Sequence, residues 1–304
     1  MVAGVSGETP CPRCAAGSRF LLRPRDRMGA VLAAVRVCRS RACGVGFTVP
    51  PPSGTAAAPA VMPGREVEDR LAARVVAAGL RRFMGRLPAR GLVVDAGAGS
   101  GLRARVLAEH GFRVVAVEPD PVEEARAHAM MAALPPGAVE VVRAGVSDLP
   151  SVLAGRRADG VLLWHVLEHL HDIDAGLGSI ASVLAPGGLL QVAVPNRASA
   201  EAQAFGPRWH GWEPARHRWH LDGESLRIVL GAAGLAVEDL GTRGGWGYPA
   251  GLAFSVAPDL DPQVNPRRAL AGRALAAVLV PVAAAARLTG RGGQLVATAR
   301  SVPG

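Results

Sequence analysis

The chain has 304 residues, a formal net charge of +9 and a pI near 11.0. Because 49% of the residues are hydrophobic and no short repeat runs through the sequence, collagen, coiled coil and wholesale disorder are excluded. A basic balance of this size ordinarily favours nucleic acid or an anionic membrane as a partner. The sequence contains no lysine, however, and abundant arginine is typical of a GC-rich coding sequence.

The positive charge is concentrated at the two ends of the chain. Residues 1–48 contain eight arginines and two acidic residues, and residues 243–304 contain seven arginines and two acidic residues. The stretch between them has slightly more acidic than basic residues. We therefore expect a nearly neutral central domain with two basic segments that help to recruit an anionic ligand.

Four cysteines near the start of the chain have the spacing of a metal site. Cys11, Cys14, Cys38 and Cys43 form C-x2-C, a gap of 23 residues and then C-x4-C. Two close thiolate pairs brought together by a hairpin give the tetrahedral sulfur site that Zn²⁺ prefers. The alternatives are two disulfides or four free thiols, and the absence of a visible secretory signal argues against disulfides.

This pattern predicts a zinc-ribbon-like module over residues 1–48 with structural zinc, in a cytoplasmic protein. Residues 49–66 are rich in Pro, Ala and Gly, which is typical of a linker. A central domain is expected over residues 67–245, and residues 246–304 are expected to supply a helix and a last strand that complete it.

A glycine-rich turn follows the first predicted strand of the central domain. Asp95, Gly97, Gly99 and Gly101 alternate after the strand at 92–96, and Glu118 ends the next strand. Glycines let a backbone approach a ligand closely, and an acid in the place of Glu118 can bind both hydroxyls of a ribose. A nicotinamide dinucleotide enzyme needs G-x-G-x-x-G, which is absent here, and an acid before the first glycine would repel pyrophosphate.

The stretch with D-x-G-x-G-x-G and the following acid resembles the class I S-adenosylmethionine-dependent methyltransferases. The resemblance implies that S-adenosyl-L-methionine is the cofactor. It implies that Asp95, Gly97, Gly99 and Gly101 line its methionyl part and that Glu118 binds its ribose. It also implies a Rossmann-like α/β fold with a seven-stranded sheet and helices on both faces. The expected strands are 92–96, 113–118, 138–143, 159–164, 188–194, 235–240 and 294–299, with the final pair antiparallel.

Two further segments resemble the same family. Residues 158–172, ADGVLLWHVLEHLHD, match its fourth strand and continuation, which places Trp164 and His165 against the cofactor. Residues 184–196, LAPGGLLQVAVPN, match its fifth strand. Family members often place an acid after the third strand to bind adenine. Asp148 lies late for that position, so it is either a cofactor contact or a cap of the following helix.

The acceptor side is predicted from residues 205–234. Enzymes that methylate base amines carry an Asn/Asp-Pro-Pro-aromatic motif after the fourth strand, which this chain lacks. Its segment FGPRWHGWEPARHRWHLDGESL resembles a stretch of bacterial enzymes that act on small metabolites, sugars and quinone-type rings. Because histidine titrates near neutral pH, we expect His217 to be the general base, with His220 and Glu213 as partners. The alternative is a structural lid, and His169 is a second candidate for the base.

These patterns predict O- or C-methylation of a small-molecule acceptor. One alternative is an RNA methyltransferase that grips phosphates with the basic cysteine module, and another is a non-catalytic binding protein with a relic cofactor fold. Near the end of the chain, residues 274–286 form an apolar run between arginines. This run is predicted to form either a buried or amphipathic helix, or an interfacial helix that contacts lipid or a lipid-like substrate.

Overall fold

The computed structural model describes residues 9–26, 28–52, 66–242, 247–261 and 264–302. The strands within these ranges are, in chain order, β1 (Ser18–Leu22), β2 (Ala34–Cys38), β3 (Gly46–Val49), β4 (Leu92–Ala96), β5 (Arg113–Val117), β6 (Val139–Val142), β7 (Ala158–Trp164), β8 (Leu184–Pro195), β9 (Trp219–His220), β10 (Leu235–Thr242) and β11 (Gln294–Ser301). The α-helices are α1 (Glu66–Met84), α2 (Leu102–Glu109), α3 (Pro121–Met131), α4 (Leu149–Leu153), α5 (Ile173–Val183), α6 (Ala200–Phe205), α7 (Gly223–Ala232), α8 (Gly247–Val256) and α9 (Ala269–Leu288).

A seven-stranded sheet forms the centre of the chain, in the order β10-β11-β8-β7-β4-β5-β6. The strands from β8 to β6 run parallel, and β11 lies antiparallel between β10 and β8. Successive side chains of β4 point to opposite faces, so Val93 packs with Leu80 and Phe83 of α1, whereas Val94 belongs to the hydrophobic cluster on the other face. Both faces of the sheet are therefore covered, which explains the continuous apolar runs of its parallel strands.

The predicted Rossmann-like α/β fold with seven strands is confirmed. The strand ends shift by a few residues, most at β8, which begins at Leu184 because Leu184 already pairs with Ala158. The antiparallel arrangement of the final two strands, β10 and β11, is also as expected.

A second, four-stranded sheet has the order β1-β2-β3-β9 and is antiparallel throughout. Its first three strands come from the cysteine-rich segment, whereas β9 comes from the histidine-rich segment of the central domain. Gly46 lies opposite His220, and a Cβ on Gly46 would lie 2.8 Å from the carbonyl oxygen of His220. Only a glycine at this position lets the two backbones approach so closely.

The cysteine-rich segment is thus joined to the central domain by a strand pair as well as by the chain. A bidentate ion pair between Arg13 and Asp174, at the start of α5, adds a second connection. Most of the predicted linker at 49–66 lies outside the described residues. The division of the chain at residues 48, 66 and 245 remains a prediction.

Between β10 and β11 the chain forms the α8–α9 hairpin. Leu252 of α8 packs against Ala283 of α9, and Phe205 of α6 joins this small cluster. By length and composition, the stretch Pro266–Leu288 can cross a membrane, although most of it lies on the protein surface. The predicted apolar run at 274–286 therefore forms an exposed helix rather than a core helix.

Candidate functional site

The four cysteine sulfurs lie within 4.8 Å of one another. Cys11 Sγ is 3.8 Å from Cys43 Sγ, and Cys14 Sγ is 3.5 Å from Cys38 Sγ. These separations are too long for disulfide bonds. They match the edges of a sulfur tetrahedron of about 3.8 Å, which follows from a zinc–sulfur distance of about 2.3 Å. The donor set therefore fits the predicted structural zinc.

The glycine-rich turn after β4 leaves open space beside Gly99. Gly97, Gly99 and Gly101 all have positive φ angles, of 75°, 55° and 84°. A Cβ on Gly97 would lie 2.3 Å from Val166 Cγ2, so this glycine is required by the packing of its own chain. By contrast, nothing lies within 4 Å of the corresponding position on Gly99. The backbone at Gly99 is thus free to be approached by a ligand.

Glu118 follows β5 and shapes the same turn. Its Oε2 accepts a 2.8 Å hydrogen bond from the Gly99 amide, and its Oε1 accepts a 2.9 Å hydrogen bond from the Asp120 amide. Burial raises the pKa of Glu118, and the two amide donors oppose this effect. Since a carboxylate has about four acceptor sites, two of them remain for ribose hydroxyls.

Asp95 is the last acidic side chain before the turn, and it is 1% exposed. Its Oδ2 has no hydrogen-bond partner among the described residues. Burial raises the pKa of Asp95 to about 6, although the positive charge of Arg103 acts in the opposite direction. The Arg103 guanidinium lies 4.7 Å from the ring centroid of Trp164. Asp95 and Arg103 therefore offer one negative and one positive group, which fits the ammonium and carboxylate of a methionyl moiety.

Asp148 occupies the first turn after β6 and is exposed. Its Oδ2 accepts a 2.8 Å hydrogen bond from the Gly145 amide, which caps the 3-10 turn Val146–Asp148. Asp148 also directly precedes α4, but its side chain makes no hydrogen bond to that helix, so the predicted side-chain cap of the following helix is not formed. Contact of Asp148 with adenine remains a prediction.

A short segment at the carboxyl end of β7 links the glycine turn to a histidine cluster. His165 has a positive φ of 57°, which is a strained backbone for a residue with a Cβ. Its Nδ1 lies 3.1 Å from Glu168 Oε1, and its Nε2 lies 3.0 Å from the Gln294 amide oxygen. Val166 then packs on Gly97, and Glu168, two residues further on, lines the cavity described below. This segment places the cluster next to the cofactor turn.

Glu168 is 1% exposed, and its Oε2 has no hydrogen-bond partner among the described residues. Burial raises the pKa of this carboxyl, but the hydrogen bond from His165 and the imidazoles of His169 and His217 outweigh it. The net pKa of Glu168 is lowered. Glu168 is thus an ionised, buried carboxylate with one oxygen free to bind a cation or a donor.

Backbone carbonyls fix the imidazoles of His169 and His217. His217 Nδ1 lies 3.0 Å from the Gly211 carbonyl oxygen, and His169 Nδ1 lies 3.2 Å from the Arg216 carbonyl oxygen. Because a carbonyl only accepts, each Nδ1 carries the hydrogen and each Nε2 keeps a lone pair in the neutral ring. Burial lowers the pKa of His217 to about 4, although Glu213 acts in the opposite direction. The centroids of the two rings are 4.8 Å apart, and the ring planes are tilted by 56° to each other.

Glu168, His169 and His217 bring one ligand atom each within 4.8 Å of one another. This is a two-histidine, one-carboxylate set of donors for a divalent cation. Glu213 Oε2 also lies 3.3 Å from His217 Nε2. The arrangement can therefore accept a proton at His217 Nε2 or hold a metal ion between the three groups.

His220 points away from this cluster into the four-stranded sheet. Its Nε2 is hydrogen bonded to the Thr48 hydroxyl at 2.8 Å. The same hydroxyl lies 2.7 Å from the His217 carbonyl oxygen. Burial lowers the pKa of His220 well below its ordinary value, and the nearby His217 adds to this effect. His220 is thus a neutral, buried group whose visible contacts position the segment.

A cavity opens onto the histidine cluster. It has a volume of about 290 Å³ and adjoins a second cavity of about 250 Å³. The walls of both contain Trp209, His210, Glu213 and Arg216. The first is also lined by His165, Glu168, His169 and His217. Of the three predicted catalytic histidines, His169 and His217 face this space together and His220 does not.

The sequence prediction did not include Thr48, Arg103 or Gln294. Arg103 is one of many arginines, and its position over Trp164 depends on how α2 packs on the sheet. Thr48 and Gln294 come from strands that are distant in sequence from the histidines they contact. A partial signal existed for Glu168, because it adjoins His169 at the carboxyl end of a predicted strand.

Comparisons with known proteins identify the family to which the chain belongs. Residues 68–240 match the sequence family described as "Methyltransferase domain". The chain is similar to the ubiquinone biosynthesis O-methyltransferase of Methylobacterium sp. (strain 4-46), with 32% identity over 189 residues that cover 58% of this chain and 72% of the relative. The corresponding enzyme of Methylobacterium nodulans is 30% identical over 200 residues, which cover 59% of this chain and 78% of the relative.

Among solved structures, one similar fold comes from a complex between the Haloferax volcanii Trm112 methyltransferase activator and a methyltransferase. The TM-score is 0.52 and the identity 19%, over 78% of this chain and 95% of that chain. This likeness shows the fold. The family match covers more than half of the chain, from α1 to β10. The chain therefore belongs to the S-adenosylmethionine-dependent methyltransferases.

Proposed function

We propose that this enzyme transfers a methyl group to a hydroxyl of a small, ring-containing acceptor bound in the cavity beside His217. The observation that carries the proposal is the segment after β7, in which Val166 packs on Gly97 while Glu168 and His169 line the cavity. One turn of chain would thus hold the acceptor next to the cofactor turn. The similarity to ubiquinone biosynthesis O-methyltransferases supports a hydroxylated ring as acceptor.

The residues of the cofactor turn fit S-adenosylmethionine, which supplies an electrophilic methyl group on its sulfonium when it is bound. Asp95 would bind the ammonium of the methionyl part, and Arg103 would bind its carboxylate. Glu118 would accept hydrogen bonds from the ribose hydroxyls. The orphaned Oδ2 of Asp95 and the open space at Gly99 are the features of this chain that support the assignment.

His217 would act as the general base. Its Nε2 would take the proton of the acceptor hydroxyl as the hydroxyl oxygen accepts the methyl group that the bound cofactor would supply. Glu213, 3.3 Å from the same nitrogen, stabilises the resulting imidazolium and passes the proton towards solvent. The carbonyl of Gly211 holds the ring in the tautomer that this step requires.

Turnover of labelled S-adenosylmethionine with a panel of catechols and hydroxyquinol-type acceptors tests this proposal. The variant His217→Gln should lower kcat by about 10²- to 10⁴-fold and leave the affinity for S-adenosylmethionine unchanged. His128→Gln, at an exposed histidine of α3, is the matched control and should retain activity. Full turnover by His217→Gln would show that His217 is not the base.

The donor set of Glu168, His169 and His217 favours a second candidate role, a divalent cation that orients the acceptor oxygens. Each imidazole donates its Nδ1–H to a backbone carbonyl, which is the usual outer contact of a metal-binding histidine. Metal analysis of the purified chain distinguishes the two roles. A second equivalent of metal, beyond the zinc expected at the cysteines and lost in Glu168→Gln, supports the cation. One equivalent in both proteins supports the base.

The four-cysteine site would hold structural zinc. Its four sulfur atoms would fill all four positions of a tetrahedral zinc ion. A metal there would therefore stabilise the N-terminal sheet and would offer no open position for a substrate.

A further inference from the structure

Helix α9 carries an apolar stripe on its exposed side. Leu270, Val278 and Leu288 are 77%, 72% and 81% exposed. Further exposed members of the same stripe are Ala274, Ala277, Pro281, Ala284 and Ala285. These positions recur every three or four residues, so they share one face of the helix. A surface helix ordinarily has charged or polar residues on this side.

The opposite face of α9 is attached to the protein. Ala283 packs on Leu252 of α8, and a Cβ on Gly272 would lie 2.5 Å from the Leu260 carbonyl oxygen. The strands before and after the hairpin, β10 and β11, are neighbours in one sheet. Both ends of the hairpin are therefore held at the same sheet edge, and α9 lies along the surface instead of crossing a bilayer.

Arginines border the apolar stripe at both ends. Exposed Arg267 and Arg273 lie at its start, and exposed Arg287 and Arg291 lie at its end. The residues between Arg273 and Arg287 are uncharged. Because these two arginines are 14 residues apart, or nearly four helical turns, they flank the stripe on the same side.

Negative charge is scarce in the chain segment that carries this helix. Within the described residues from 247 to 302, the acidic side chains are Asp259 and Asp261. Asp259 is paired with Arg268, and Asp261 is buried. The hairpin is therefore net positive around an apolar face, which complements an anionic lipid surface.

We propose that α9 binds in the plane of an anionic bilayer, with its apolar stripe among the acyl chains and its flanking arginines at the lipid phosphates. Helix α8 separates α9 from the acceptor cavity and contributes Gly251 and Phe254 to the cavity walls. A membrane-bound protein would therefore hold that cavity close to the lipid surface. Membrane binding is independent of methyl transfer and is measured without an acceptor.

Flotation of the full chain with phosphatidylcholine vesicles, with and without phosphatidylglycerol, tests the proposal. The protein should float with the anionic vesicles and only weakly with the neutral ones. The double variant Val278→Asp/Leu288→Asp should lower the partition coefficient by more than about tenfold, because two apolar side chains are removed from the lipid. Val122→Asp, at an exposed valine of α3, is the matched control and should bind like the wild type.

The contribution of charge is tested with Arg273→Gln/Arg287→Gln. Each arginine should be worth about fivefold in binding to anionic vesicles, whereas the exposed pair Arg81→Gln/Arg82→Gln on α1 should change little. Thermal unfolding of each variant confirms that it is folded. Equal flotation of the Asp variants and the wild type would overturn the proposal. A dimer that Val278→Asp dissociates, with no vesicle binding by the wild type, would overturn it in favour of a second copy of the chain.

Discussion

The Thr48 hydroxyl joins the cysteine-rich sheet to the histidine segment by lying 2.8 Å from Nε2 of His220. The same hydroxyl has a single hydrogen, and the nearby His217 carbonyl oxygen can only accept it. It therefore donates to His217 and accepts the Nε2–H of His220. One side chain of β3 thus fixes both the backbone of the proposed base and the tautomer of its neighbour.

Thr48→Val should separate structure from cofactor binding. The substitution keeps the shape of the side chain but leaves the His217 carbonyl and His220 Nε2 without this partner in a buried place. We expect a loss of about 1–3 kcal/mol in the free energy of unfolding and a lower kcat, with unchanged affinity for S-adenosylmethionine. Denaturant unfolding and calorimetry measure these quantities.

Thr242→Val is the control for this experiment. The Thr242 hydroxyl donates to the Arg287 carbonyl oxygen near the C-terminal end of α9, far along the chain from the histidines. It should lower stability by a comparable amount and leave kcat unchanged. If both variants lower kcat equally, Thr48 has no specific role at the acceptor site.

Removal of the zinc that we propose for the cysteine site should weaken acceptor turnover. Cys14→Ser, or chelation, would remove the metal–sulfur bonds that stabilise the sheet with which β9 pairs. We expect a fall in turnover of at least about tenfold, with retained cofactor affinity because the glycine turn lies in the other sheet. Zinc analysis and activity assays check this. Ser40→Ala, beside the cluster, is the control, and full activity of a metal-free chain would contradict the expectation.

Cofactor affinity should depend on the ionisation of Asp95. Burial raises the pKa of Asp95 to about 6 from an ordinary value of 3.8. Between pH 3.8 and pH 6, the folded protein therefore keeps a proton on Asp95 that the unfolded chain has lost. The stabilising effect of this proton is present below pH 3.8 and is lost as pH rises towards 6. Binding of an ammonium group needs the ionised form. Affinity should therefore fall by up to about tenfold per unit as pH drops below 6.

Asp95→Asn tests the role of the Asp95 charge by removing it at every pH. It should weaken S-adenosylmethionine binding and remove the dependence of affinity on pH. It should also raise the free energy of unfolding at neutral pH, because the cost of burying the ionised Asp95 carboxylate is removed. Calorimetric titrations from pH 5 to pH 8 measure the first two effects. An unchanged pH dependence in the variant would assign it to another group.

Two glycines of the cofactor turn should respond differently to alanine. Gly97→Ala brings a Cβ to 2.3 Å from Val166 Cγ2 and should destabilise the fold by several kcal/mol. Gly99→Ala meets no protein atom, so it should cost only about 1 kcal/mol for its positive φ. It should nevertheless weaken cofactor binding, since its methyl group occupies the space left for the ligand. Thermal unfolding and calorimetry separate the two effects. Normal cofactor affinity in Gly99→Ala would mean that this face of the turn is not the binding surface.

The parts of the site that follow local patterns were predictable from the sequence. Alternating glycines after a β-branched strand fix the turn at Gly97–Gly101, and the C-x2-C and C-x4-C pairs bring the four sulfurs together. The addition of β9 to the cysteine-rich sheet was not predictable, because a two-residue strand has no periodicity. Nor was it predictable that the side chains of His217 and His220 point to different places. They diverge because β9 pairs with Gly46 and Phe47.

A crystal structure of the chain with S-adenosylhomocysteine would locate the cofactor relative to the acceptor cavity. We expect the ligand's ammonium to lie on Asp95, its ribose to lie on Glu118 and its sulfur to open onto the cavity lined by His169 and His217. A sulfur that faces away from this cavity, or a ligand bound elsewhere, would contradict the assignment of the acceptor site.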